Sequence, residues 1–169
     1  MSDKDRRMTA RLLRAIILLP GNVLVLVPAV IIWATGADLA SLNETRFWLA
    51  LFIALLSLVL MGWTVSLFTG PGEGTPAPWD PPKKLVILGP YRHARNPMIT
   101  GVVIFLGAES LVLWSWPLAG WMAAFLIANA FYFPFNEEKR LERRFGDDYL
   151  RYKANVPRWV PTIRPWHSD

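Results

Sequence analysis

Apolar residues along the chain fall into four runs, at roughly 15–35, 47–68, 98–114 and 118–135, separated by polar or proline-rich stretches. Each run approaches the ~20 residues that a helix needs to cross a ~30 Å hydrocarbon core. None shows the strict alternation of a barrel strand. The pattern predicts a single all-α domain over 1–169, an integral membrane bundle of about four transmembrane helices. Only Ser115-Trp116-Pro117 separates the third run from the fourth. Those two should form a tight hairpin, with Trp114, Trp116 and Trp121 near one interface. Pro20, Gly21 and Pro28 predict a kink for packing in the first run. A cleaved signal peptide is the competing reading of residues 1–37, opposed by the length of the run and the lack of an A-x-A site.

Composition sharpens this picture. Of the 169 residues 53% are apolar and 18% charged, against about 25% charged in an average soluble domain. Cysteine is absent, which excludes disulfides, thiolate catalysis and cysteine-ligated metal centres. His93 and His167 lie far apart, so no metal-ligand spacing exists and no metal is expected. The net charge of +5 would suit nucleic acid or a membrane surface. Its placement decides: 17 of the 18 basic residues fall in the N-terminal segment, the loop 70–97 and the tail 136–169, leaving Arg46 alone opposite. By the positive-inside rule both termini and the central loop are cytoplasmic, and nucleic acid is disfavoured.

The cytoplasmic segments carry the candidate chemistry. Ten of the 21 residues from Gly70 to Pro90 are Gly or Pro, which predicts an extended, semi-rigid connection, or a disordered linker. Against the linker, Leu85-Val86-Ile87-Leu88 is an apolar run that calls for burial. Tyr91 to Pro97 leads into the third helix, with Pro97 in its first turn and Arg95 or Asn96 at the cap. Free amides beside a basic cluster can hold a carboxylate or phosphate. In the tail, Asn136 is the predicted N-cap of an amphipathic helix with Glu137 and Glu138 in its first turn. Leu141 and Phe145 form its apolar face, Gly146 ends it, and Asp147 starts a shorter helix through Tyr149 and Tyr152. A basic tail lying on anionic headgroups would explain the arginines but not the glutamate pair. An amide-rich basic end beside two carboxylates matches a zwitterionic ligand such as S-adenosylmethionine; an inter-helix ion pair is the simpler alternative.

Gly89-Pro90-Tyr91-Arg92-His93-Ala94-Arg95-Asn96-Pro97-Met98, then Glu137-Glu138-x-x-Leu141, Phe145-Gly146-Asp147-Asp148-Tyr149-x-x-Tyr152 and Val156-Pro157-Arg158, resemble isoprenylcysteine carboxyl methyltransferases and related phospholipid methyltransferases. The resemblance spans about Gly74 to Pro161. It implies a helical membrane fold that binds S-adenosylmethionine from the cytosol, in a pocket formed with the loop and the tail helix, and takes a lipid-like or hydrophobic acceptor from the bilayer. It makes Lys83, Lys84, Leu85 and Val86 a cofactor-lining strip with Tyr91 beside it. Asn96, Pro97, Met98 and Ile99 would close over the methionine moiety, and Glu137 with Glu138 would bind the cofactor's polar groups. Arg95, Glu137, Glu138 and Arg158 are the candidate catalytic residues.

Two departures bear on the acceptor and the cofactor. The family's motif tyrosine is Ile99 here, which removes a hydroxyl. An arginine that isoprenylcysteine enzymes tend to carry one turn before the glutamates is Phe133, which argues against a prenylcysteine acceptor unless Arg158 substitutes. Methyl transfer would rest on alignment and desolvation. Only His93 or a glutamate offers a base, and His93 reads better as structural. Glu109 is ionisable inside the third run and is either a substrate-channel group or helix-helix glue, with Asn22 or Asn129 to satisfy it. An NADPH-dependent membrane reductase and a non-catalytic adaptor are the rival classes, separated from a methyltransferase by which cofactor binds.

Overall fold

The computed structural model describes residues 17–77 and 81–167, and every regular element among them is helical. The basic residues Lys4, Arg6, Arg7, Arg11 and Arg14, and Pro78 of the loop, lie outside the described residues. A π-helical segment, Ile17–Leu26, runs into α1 (Val27–Thr35), which Gly36 ends at φ +63° by donating to the Ile32 carbonyl. The predicted kink at Pro20, Gly21 and Pro28 is therefore a stretch of wider helix. In that register the Val23 carbonyl would take the amide five residues on, but Pro28 has none to give. Trp121 supplies the missing donor, its indole Nε1 lying 3.0 Å from Val23 O. Trp121 thus ties the first segment to the bundle, whereas Trp114 and Trp116 are exposed.

Helix α2 (Thr45–Thr69) is long enough, at about 37 Å, to cross a bilayer. It leaves Leu49, Phe52, Leu55, Leu56, Val59 and Trp63 exposed along its length. A continuous apolar surface of this kind belongs in lipid rather than water. Helix α3 (Pro97–Leu113) packs along α2, and α4 (Trp116–Tyr132) returns beside α3 after a left-handed Trp114. Two stretches, Thr45–Thr69 and Trp116–Asn155, are long and apolar enough for a span; Pro20–Thr35 and Pro97–Leu113 are shorter apolar helices. Close approach of α2 and α3 depends on small residues. Ala50, Ser57 and Gly101 are buried, and a Cβ on Gly101 would lie 2.8 Å from Met61 Cγ. Met61, Val102 and Leu106 form the core there, with Val23, Trp121 and Phe125 packed against them.

Beyond α4 the sequence reading needs correction. Asn136 does not cap a new helix. The chain continues through a π-turn, Phe133–Glu137, directly into α5 (Glu138–Asn155). Pro134 lacks the amide that α-helical register requires and its ring crowds the preceding turn, and the wider turn relieves both. The Glu138 amide accordingly donates to the Phe133 carbonyl, five residues back. Gly146 does interrupt α5, at φ +54° and ψ −130°, as its position predicts.

The Gly/Pro-rich loop is folded against the end of α2 and is no linker. Gly72 and Gly74 donate to the carbonyls of Leu67 and Phe68, and Lys83 and Lys84 donate back to Gly72 O. A Cβ on Gly74 would lie 2.6 Å from the Pro82 backbone, so the two limbs of the loop touch. Val86 is buried, and Leu85 and Ile87 pack on a second core of Tyr149, Tyr152 and Val156, joined by Leu141, Phe145 and Trp166. Leu88 alone of the predicted apolar run stays exposed.

The α2–α3 contact yields a direct test. Gly101→Leu should force the helices apart and cost about 1–3 kcal/mol, the usual range for overpacking. Thermal unfolding in detergent should show a lowered midpoint, and an unchanged midpoint would contradict the close packing at Gly101.

Candidate functional site

The site is built where the tail lies along the segment that precedes α3. Arg95 and Asn96 amides donate to the carbonyls of Pro157 and Arg158, at 2.9 and 3.2 Å. Thr162 and Trp166 amides donate to His93 and Arg92 carbonyls, both at 3.0 Å. His93 Nδ1 is 2.6 Å from Thr162 O, so that nitrogen carries the proton and the ring is part of the strap. The Tyr152 hydroxyl donates to Tyr91 O at 2.6 Å, and the Tyr91 ring stacks on Phe68. Burial, reinforced by Tyr152 nearby, raises the Tyr91 phenol far above its ordinary range, so it stays a neutral hydroxyl.

Glu138 sits at the centre of this arrangement. It is 3% exposed, and its Oε1 accepts from Arg95 Nη1 at 2.9 Å and Arg158 Nε at 2.6 Å. Its Oε2 lies 3.2 Å from Lys153 Nζ, which also reaches Glu142 at 2.6 Å. Burial by itself would raise the carboxyl, but Arg158, Arg95 and Lys153 outweigh it and hold it below the usual range. Arg95 further donates through Nε to Val156 O at 2.9 Å.

Beside the cluster, between the two apolar cores, is a cavity of about 390 Å³, within the range of ~300–1,000 Å³ common for small-molecule sites. Its polar end presents Lys84, Arg95, Glu137, Arg140 and Arg144. Its apolar depth is walled by Pro20, Val23, Met61, Val65, Val102 and Phe125. Of the residues expected from the sequence, Lys84, Leu85, Val86, Tyr91, Arg95, Asn96, Met98, Ile99, Phe133 and Glu137 line it together. Lys83, Pro97, Glu109, Glu138 and Arg158 are not in its lining.

Each of those five has a visible reason. Lys83 is exposed on the loop, and Pro97 is buried at the start of α3. Glu138 and Arg158 are bound to each other. Glu109 lies twelve residues, about 18 Å, along α3 from Pro97 and so stands well beyond the cavity's polar end. Its Oε2 is buried with no hydrogen-bond partner among the described residues, and Asn129 donates to Phe125 O instead. Glu137 is therefore the carboxylate in the cavity wall, 3.7 Å from Arg140.

Sequence reasoning missed two parts of the wall. Thr75, Pro76, Ala77, Pro81 and Pro82 line it because the loop folds inward. Phe125 and Asn129 line it as well, at four-residue spacing with the expected Phe133 and Glu137 down one face of α4 and its continuation. The second was legible from the glutamate backwards; the first had only its glycine density as a signal.

A helical bundle with exposed apolar faces and a cavity joining a charged mouth to an apolar interior has the features of a membrane protein. The family model for phospholipid methyltransferases matches residues 45–148, from the first residue of α2 to beyond the Gly146 break. That is well over half of the chain, which belongs to this family of membrane methyltransferases. No curated protein matches it.

The Glu138 cluster gives two predictions. Glu138→Gln would leave Arg95, Arg158 and Lys153 facing an uncharged amide, and should destabilise by about 3 kcal/mol, the low end for a broken buried pair. Chemical denaturation would show it, and a loss under ~0.5 kcal/mol would contradict the role. The folded carboxyl lies below its unfolded value near 4.3, so the unfolded chain binds the extra proton. Stability should therefore hold above about pH 4.3 and fall as pH drops below it toward the depressed folded value. Glu138→Gln should flatten that acid limb.

Proposed function

We propose that the chain is an S-adenosylmethionine-dependent methyltransferase acting on a lipid-like or hydrophobic acceptor. In this reading it is multi-pass, with both termini and the mouth of the cavity in the cytoplasm. One observation carries the reading: a single cavity runs from Glu137, Arg95 and Lys84 to Met61, Val65 and Phe125. A polar cofactor and an apolar acceptor can meet only in a space with both characters.

The residues present suit that cofactor. Glu137 offers a carboxylate to its ammonium or hydroxyl groups. Arg95 has Nε and Nη1 committed to Val156 and Glu138, leaving Nη2 for a carboxylate. Asn96 makes no side-chain cap at the start of α3, so the amides of Met98 and Ile99 are open to an anion. The Tyr91 hydroxyl is held neutral and can donate. When bound, the cofactor's sulfonium supplies an activated methyl group. The chain's own contribution is alignment by these groups and exclusion of water by Phe68, Phe133 and the loop.

A prenylcysteine carboxylate as acceptor is less well supported. Phe133 carries no charge toward the cavity, and Arg158, the tail residue able to replace an arginine there, is engaged by Glu138.

Binding of S-adenosylhomocysteine to the detergent-purified protein tests the proposal. Glu137→Gln should weaken it by roughly tenfold or more, the scale of a hydrogen bond to a charged group. Folded protein that binds neither S-adenosylmethionine nor S-adenosylhomocysteine would overturn the reading, and binding of NADPH in their place would favour the reductase.

A further inference from the structure

The fold returns the C-terminal tail to the level at which α4 ends. In a straight helix Glu138 and Lys153 would stand about 22 Å apart along the axis. Their side chains lie 3.2 Å apart, because α5 doubles back at Gly146, where the backbone takes φ +54° and ψ −130°. The chain beyond α5 therefore arrives beside Glu138 rather than far beyond it, and Arg158 pairs with that carboxylate at 2.6 Å. Trp159 then meets Phe133, the first residue of the π-turn, with ring centroids 5.8 Å apart. Thr162 is bonded to His93, shortly before α3 begins.

Two aliphatic side chains of this returned segment have no apolar cover. Val160 is 76% exposed and Ile163 97%, although the tail around them is fastened by backbone hydrogen bonds at Arg158, Thr162 and Trp166. A tethered loop that holds aliphatic groups outward in water forgoes the gain of burying them. The end of α4 at the same level is apolar on its outer side too, with Phe131 and Phe135 exposed. Cations flank the segment. Arg164 follows Ile163 and is exposed, Lys139 lies over the Phe135 ring, and no carboxylate pairs with either among the described residues. Aliphatic and aromatic groups beside basic ones at the end of a spanning helix suit the boundary between head groups and acyl chains. Water would leave the apolar groups hydrated, and an apolar protein partner would leave the cations without counter-charge.

We infer that segment 159–164 is a leaflet-docking element: Val160 and Ile163 enter the boundary of head groups and acyl chains, while Arg164 and Lys139 draw anionic phospholipids to that spot. The inference rests on the multi-pass reading for where the bilayer ends. It assigns a lipid contact to a segment outside the cavity and beyond residue 148, where the family match stops.

The chain has no cysteine, so one introduced cysteine places a polarity-sensitive nitrobenzoxadiazole label at a single chosen position. The full chain is reconstituted in vesicles of equimolar phosphatidylcholine and phosphatidylglycerol, with iodide on both faces of the membrane as aqueous quencher. Labels at Val160→Cys and Ile163→Cys should emit at shorter wavelength than one at Asp147→Cys, at the turn of α5, and should be shielded from iodide. A lipid spin-labelled near its head group should quench those two and spare the Asp147 position. Spin-labelled phosphatidylglycerol should associate with the Ile163 position at least about fivefold more than spin-labelled phosphatidylcholine, the scale of one Lys or Arg at an anionic surface. The double variant Lys139→Gln, Arg164→Gln should remove that preference. Labels at Val160 and Ile163 as open to iodide as the one at Asp147, or equal association of the two lipids, would overturn the inference. A label at Leu55→Cys, midway along α2, that iodide reaches would instead overturn the multi-pass reading beneath it.

Discussion

One carboxylate, that of Glu138, holds together three segments that sequence separates widely. Arg95 comes from the stretch before α3, Lys153 from the end of α5 and Arg158 from the tail. Three cations around one buried anion would repel one another without it, and the backbone contacts between the tail and Tyr91–Asn96 would then lose their anchor. The cavity wall on that side consists of residues these contacts position. Tyr91, Arg95 and Asn96 face the cavity because the tail fixes the backbone behind them. The second core of Tyr149, Tyr152 and Val156 supplies the apolar burial that the ion cluster alone would not.

The π-turn at Phe133–Glu137 is what separates the roles of the two glutamates. Adjacent helical residues point about 100° apart, so only one of them can face the cavity. The register imposed by Pro134 places Glu137 on the wall with Phe133 and Asn129, and turns Glu138 into the cluster. Two neighbouring acids thereby serve different ends, one available to a ligand and one spent on the fold.

The sequence made the helices legible because their apolar runs are long, and the boundaries of α2, α3 and α4 fall within a few residues of the expected ones. The basic and acidic ends of the site were legible as well, since Arg95, Asn96 and Glu137 do meet. What stayed hidden depends on long-range geometry. Asn136 has the composition of a helix cap, but continuity with α4 overrode it once Pro134 was absorbed by a wider turn. Glu138 reads like Glu137 until the three cations around it are known. The inward fold of the Gly/Pro loop could not be foreseen, because proline and glycine report where regular structure stops and not where the chain goes next.

The first helical segment closes the cavity from outside the region that matches the family. Its Val23 carbonyl, orphaned by Pro28, is met by the indole of Trp121, and Pro20 and Val23 form part of the cavity's apolar wall. Yet this segment precedes residue 45, where the match to the family begins. The matched residues carry the charged mouth, while one panel of the apolar chamber comes from outside the match, held by packing on the Met61, Val102 and Leu106 core and by one side-chain hydrogen bond. A substitution at Pro20 or Val23 would therefore alter the width of the apolar chamber while leaving the charged residues at its opposite end in place.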